Sequence, residues 1–171
     1  MHDGVGPVPF PALQAAFDPF YTPGLQWYWR ADFVDELTDA AIALHAEWGA
    51  RLPTLHSTMH LYPIDGAVHR VHQDETAFAY RSTRWSAVFA GVDPDPAMAQ
   101  PIRDWATGYQ EALHPYAARG GGAYVNFLMA DEGQARVHDI YGDNYDRLAQ
   151  IKAKYDPDNT FRVNQNIQPK A

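Results

Sequence analysis

Residues 54–62, Thr54-Leu55-His56-Ser57-Thr58-Met59-His60-Leu61-Tyr62, alternate with a period of two. Leu55, Ser57, Met59 and Leu61 fall on one face of a strand, and His56, Thr58, His60 and Tyr62 on the other. A strand with one apolar face needs partners and a covering layer, and the flanking sequence supplies both. Residues 26–30 place Trp27 and Trp29 on one side and Tyr28 and Arg30 on the opposite one. Residues 84–92 form a third long strand carrying Trp85, Val88 and Phe89. Asp65-Gly66 makes a turn after the second strand, and residues 67–71 pair back as a hairpin arm.

The helices lie between and after these strands. Thr38 offers an N-cap for a helix to about residue 48, with Ala41, Ile42, Leu44 and Trp48 on its apolar side. Pro96 suits a first helical turn, and Ile102, Trp105, Tyr109 and Leu113 then step by three and four until Pro115. Gly120-Gly121-Gly122 reads as a flexible connection, followed by a short strand over 123–127 and a helix over 131–140. Asp143 caps a last helix that turns Tyr145, Leu148, Ile151 and Tyr155 inward, and residues 161–169 form an extended tail. The expected fold is α+β: an antiparallel sheet with helices packed on one face, plus a C-terminal helix and extended tail. The expected organisation is a lead-in over 1–24, an α+β domain over 25–122 and a C-terminal segment over 123–171. The lead-in holds five prolines and the large apolar groups Phe10, Leu13, Phe17, Phe20 and Tyr21, so it needs a surface to lie on.

Composition narrows the function. A chain of 171 residues with net charge −8 is a poor partner for nucleic acid or anionic lipid, which reward clustered cations. There is no cysteine, which excludes a thiolate nucleophile, a disulfide framework and a Cys-based metal centre. No apolar run is long enough to span a bilayer and the start lacks the pattern of a signal peptide, so a cytoplasmic location is expected. The five Trp, ten Tyr and eight Phe are an unusual aromatic load, and such side chains line sites for flat ligands.

Among the candidate motifs, His56 and His60 are four apart and His69 and His72 three apart, but no Glu follows the first histidine as a zincin pattern requires. No metal is expected. The glycine triplet follows a helix instead of opening one, so it is not a phosphate cradle. Ser57, Ser82 and Ser86 lack the Gly-x-Ser-x-Gly elbow. The polar strand face of His56, Thr58, His60 and Tyr62 suits hydrogen bonding and stacking on an organic ligand. Asn126 sits inside an apolar stretch where strands disfavour it, which points to a specific partner. Asn164-Gln165-Asn166 beside Ile167 reads as a docked tail.

The block Tyr145-Asp146-Arg147-Leu148, then Lys152-Ala153-Lys154-Tyr155-Asp156-Pro157-Asp158-Asn159, Phe161 and Asn164-Gln165-Asn166-Ile167 closely resembles the C-terminal signature of the berberine-bridge-enzyme-like FAD-linked oxidases. Ala123-Tyr124-Val125-Asn126 matches the segment before it, and Ile64-Asp65-Gly66-Ala67-Val68 and Thr76-Ala77-Phe78-Ala79-Tyr80-Arg81 match the middle region more loosely. The likeness runs from about Pro9 to Pro169. It implies an α+β substrate domain whose antiparallel sheet covers the isoalloxazine of FAD, and a C-terminal segment that returns to a separate FAD-binding domain. It implies oxidation of an alcohol, sugar or natural product, with a hydride passing to the flavin.

Carried over by position, Tyr124 and Asn126 lie near flavin and substrate, and Asn164 ties the tail to the cofactor side; alternation then turns His56, Thr58, His60 and Tyr62 toward a small-molecule substrate. Phe127 stands where several relatives have a catalytic Tyr, so the base is Tyr124 or a histidine of the sheet. The FAD-binding domain and the cysteine of covalent attachment are missing from this chain, and the chain alone is expected to be inactive. The alternative is a flavin-free binding module that homodimerises to cover its aromatic face.

Overall fold

A computed structural model describes residues 6–16, 18–20 and 22–170 of the protein. Phe17 and Tyr21 of the lead-in lie outside the described residues. A short helix α1 (Phe10–Ala15) has no buried residue, and Phe10 and Leu13 on it are exposed.

The sheet has three strands: β1 (Gln26–Val34), β2 (Thr58–Pro63) and β3 (Trp85–Asp93). Their order is β1-β3-β2 and both pairings are antiparallel, with Ala31 opposite Val88 and Val88 opposite His60. Helices α2 (Asp39–Gly49) and α3 (Ala99–Leu113) cover one face, as the sequence requires. The core there joins Tyr28, Ala87 and Phe89 from the strands to Ala41, Ile102, Trp105 and Tyr109 from the helices, with Met59 and Leu61 packed against it. Thr38 caps α2, its Oγ1 accepting from the Ala41 amide at 3.2 Å. Tyr109 is the centre of this layer. Its ring stacks on Phe89 at 4.2 Å and on Trp48 at 5.4 Å, and its hydroxyl meets His45 Nδ1 at 3.0 Å.

The opposite face is only partly covered. A second cluster joins Ala31 and Val88 to Ala123, Leu128, Val137 and Ile140, which come from the 123–128 segment and helix α4 (Gly133–Tyr141). Helix α5 (Tyr145–Tyr155) follows. Ala149 is its buried residue, whereas Ile151 and Tyr155 are exposed, contrary to the inward stripe expected from spacing. Asp143 does not cap it. Its carboxylate accepts from Gln73 at 3.2 Å, and the N-cap residue Asn144 donates instead to the carbonyls of Gln73 and Thr76.

Four local expectations shift for identifiable reasons. The second strand begins at Thr58, because the Thr54 hydroxyl donates to the Val92 carbonyl and accepts from the amides of His56 and Ser57, which folds 54–57 into a turn. Leu55 is consequently fully exposed. Residues 67–71 are a tight 3-10 turn, not a hairpin arm. Residues 123–127 are not a strand. Tyr124 is extended, but Val125–Phe127 forms a 3-10 turn, and the outer edge of β1 is already occupied by Ala118 and Gly122, which bond to Phe33 at 2.6 and 2.8 Å. Nor is the glycine triplet slack: Gly120 and Gly121 hold φ values of 95° and 64°, and a Cβ on Gly122 would sit 2.0 Å from the Tyr80 ring.

Gly91 packs closely against α3, where a Cβ would fall 2.6 Å from Ile102 Cβ and 2.9 Å from its carbonyl oxygen. Backbone on both sides leaves no side chain to swing away. Gly91→Ala should lower the unfolding free energy by about 1–3 kcal/mol, as overpacking does, read as a reduced urea midpoint.

Candidate functional site

Strand alternation places Thr58, His60 and Tyr62 of β2 on the face away from α2 and α3, in register with Ala90, Val88 and Ser86 of β3. On that face the rings form a ladder. His60 and Tyr62 stack at 5.5 Å with planes 3° apart, and Tyr62 stacks on Phe127 at 6.0 Å. Tyr124 meets Phe127 edge-on at 5.3 Å. The 124–127 turn is pinned to the sheet by Trp29, whose Nε1 donates to the Phe127 carbonyl at 2.9 Å.

The polar atoms are ordered along this ladder. Asn126 Nδ2 donates to the Tyr124 hydroxyl oxygen at 2.7 Å, so the partner expected for Asn126 is Tyr124. The Thr58 hydroxyl and His60 Nε2 share a hydrogen bond at 2.8 Å. Burial holds the His60 imidazole below the ordinary histidine range, which keeps it neutral near pH 7. Tyr124 remains 40% exposed, so its ring is open to a ligand.

The remaining candidates lie elsewhere. His56 is exposed in the turn two residues before β2, so alternation does not bring it to this face. Asn164 is exposed in the left-handed region at φ 65°, and its side chain has no hydrogen bond among the described residues. The tail docks through its neighbours: Gln165 Nε2 donates to the Leu128 carbonyl at 2.7 Å, and Gln134 Nε2 donates to the Asn166 carbonyl at 2.9 Å. His69 Nε2 donates to the Thr83 carbonyl and His72 pairs with Asp74. Among the described residues no three His, Asp or Glu side chains could hold a metal ion together, and no helix is long and apolar enough to cross a membrane.

Two features were not anticipated. Trp29 anchors the candidate site through the Phe127 carbonyl, which the presence of two tryptophans on one strand face could have signalled. The second is a buried charge network at the edge of β1. Asp32, 1% exposed, accepts from Arg136 Nη2 at 2.5 Å and from Gln110 Nε2 at 3.1 Å. Arg136 also donates to the Ala31 carbonyl at 2.6 Å. Arg30 lies 3.1 Å from Asp131 and 3.6 Å from Glu132. Burial pushes the Asp32 and Glu132 carboxyls above their usual range, against the pull of the arginines. This network fastens α4, and the 123–128 segment that leads into it, to β1.

A family profile described as "Berberine and berberine like" matches residues 123–168, the segment that carries Tyr124, Asn126, Phe127 and the docked tail. An FAD-linked oxidoreductase from Dictyostelium discoideum is 30% identical over 95% of this chain. The chain is homologous to the berberine-bridge-enzyme-like FAD-linked oxidoreductases. A chitooligosaccharide oxidase from Gibberella zeae is 28% identical over 98% of the chain. Berberine bridge enzyme from Eschscholzia californica shares the fold with a TM-score of 0.75 over 85% of the chain, at 21% identity. The chain spans 35% of each of the two curated relatives and 33% of the solved structure.

Because the His60 and His45 rings are held below the ordinary range by burial, the unfolded chain takes up protons first as the pH falls. Stability should therefore decline as the pH drops through about 6.5. Urea midpoints at about pH 7.5 and about pH 5.5 measure that slope across the histidine range, and His60→Gln should flatten it.

Proposed function

We propose that this chain forms the substrate-facing part of an FAD-dependent oxidoreductase that removes a hydride from an alcohol, sugar or natural product. The observation that carries the reading is the ladder of His60, Tyr62 and Phe127 on an open sheet face, bordered by the Tyr124–Asn126 pair. Supporting it, one named relative is an FAD-linked oxidoreductase and another is a chitooligosaccharide oxidase.

The residues present fit a flat, polar-edged cofactor. Parallel rings offer stacking surface, and Asn126, Thr58 and His60 supply donors and acceptors at its margin. FAD, when bound, supplies the two-electron acceptor chemistry. The chain's own residues then bind and orient the substrate and receive its proton. Tyr124 is the proposed general base. Its oxygen already accepts from the Asn126 amide, a contact that strengthens as the phenol loses its proton. His60, neutral and tied to Thr58, orients the substrate beside Tyr62. Asn164 is proposed to meet the cofactor side through the tail. An FAD-binding domain is the proposed partner, with the exposed Tyr155, Phe161 and Val163 as apolar groups available to it.

A flavin fluorescence titration of the chain tests the reading. Saturable quenching at roughly micromolar FAD is expected, weakened at least tenfold by the paired change Tyr62→Ala and Phe127→Ala. Absence of saturation, or equal binding by that variant, would contradict it.

A further inference from the structure

The connection between β2 and β3 builds a cleft separate from the sheet face. It is lined by His69, Gln73, Arg81, Ser82 and Arg84 and holds about 380 Å³. None of these five is acidic, in a chain with 21 acidic residues against 13 basic ones. Arg30, Arg103 and Arg136 each face a carboxylate. Arg81 and Arg84 form no ion pair among the described residues.

The two guanidinium groups differ in a useful way. Arg81 is held in place: Nη2 donates to Thr76 Oγ1 at 2.5 Å, and its plane lies over the Phe78 ring at 5.0 Å. Its Nε is buried and has no acceptor among the described residues. Arg84 is exposed, but its backbone is fixed at the end of the sheet by bonds from Ile64 and to Val34. His69 spends Nε2 on the Thr83 carbonyl, leaving Nδ1 uncommitted. Gln73 donates to Asp143 at 3.2 Å, the one carboxylate among the described residues that is bonded to a lining residue.

We infer that this cleft binds the oxyanion of a small molecule, a phosphate monoester or a carboxylate. The Arg81 guanidinium held at the cleft wall, a second guanidinium and a serine hydroxyl supply several donors, a set that recognises planar or tetrahedral oxyanions. The volume lies in the range of small-ligand sites, so an organic remainder fits beside the anion.

Calorimetric titration of the full chain with inorganic phosphate, and separately with acetate at constant ionic strength, tests this. Saturation with a Kd of about 1 mM or tighter is expected for one of the two, and whichever binds more tightly names the source. The Arg81 Nε–H resonance should shift along the same isotherm. Arg84→Gln should weaken binding at least about fivefold. Arg119→Gln removes an equal charge from an exposed position outside the cleft and should leave binding unchanged. No saturation below about 10 mM would overturn the proposal, as would equal weakening by the two variants.

Discussion

Everything that gives this chain a site depends on one buried contact, the Asp32–Arg136 pair at the outer edge of β1. Two charges removed from water cost several kcal/mol each, and only close pairing with further hydrogen bonds offsets that cost. The structure supplies the pairing: Gln110 reaches Asp32 from α3, Arg136 reaches it from α4, and the spare Arg136 donor takes the Ala31 carbonyl. The carbonyl lies on an edge that would otherwise be open to another strand. Ala118 and Gly122 occupy the same edge at Phe33. The C-terminal half of β1 is thus closed to a further strand.

The consequence for function is positional. The 123–128 segment has no strand ladder of its own to hold it. It stays over the sheet because α4 is clamped at one end, Gly122 bonds to Phe33 at the other, and Trp29 takes the Phe127 carbonyl between them. That placement carries Phe127 onto Tyr62 and sets Tyr124 beside it. The two sheet faces therefore have different tasks. One is sealed by α2 and α3 around Tyr109, and the other keeps an aromatic surface exposed next to polar groups.

How far this could be read from residues follows the range of the interactions. Ile102, Trp105, Tyr109 and Leu113 are spaced for a helix that buries one stripe, and that is what α3 does. Thr38 capped its helix as its chemistry dictates. His60 and Tyr62 share the face that alternation assigns them, because the period of a strand is a local property. The failures are non-local. Nothing near Thr54 reveals that its hydroxyl prefers the Val92 carbonyl to a ladder position, so alternation alone assigns Leu55 and His56 to a strand that begins only at Thr58. Asp32 lies within an apolar run, yet its partner is 104 residues away. The Ala123–Phe127 stretch looks like a strand until the edge it would need is seen to be occupied. The resemblance of the C-terminal block points to Tyr124 and Asn126, but their mutual hydrogen bond is a product of the folded 124–127 turn.

The account stands or falls on whether the buried pair assembles the aromatic ladder. Ring-to-ring nuclear Overhauser effects between Tyr62 and Phe127 measure this directly, in the wild-type chain and in Asp32→Asn. The account predicts cross-peaks in the wild type and their loss in the variant, while backbone cross-peaks between β1 and β3 persist. Retention of the Tyr62–Phe127 cross-peaks in Asp32→Asn would show that the site is held by something other than the clamp.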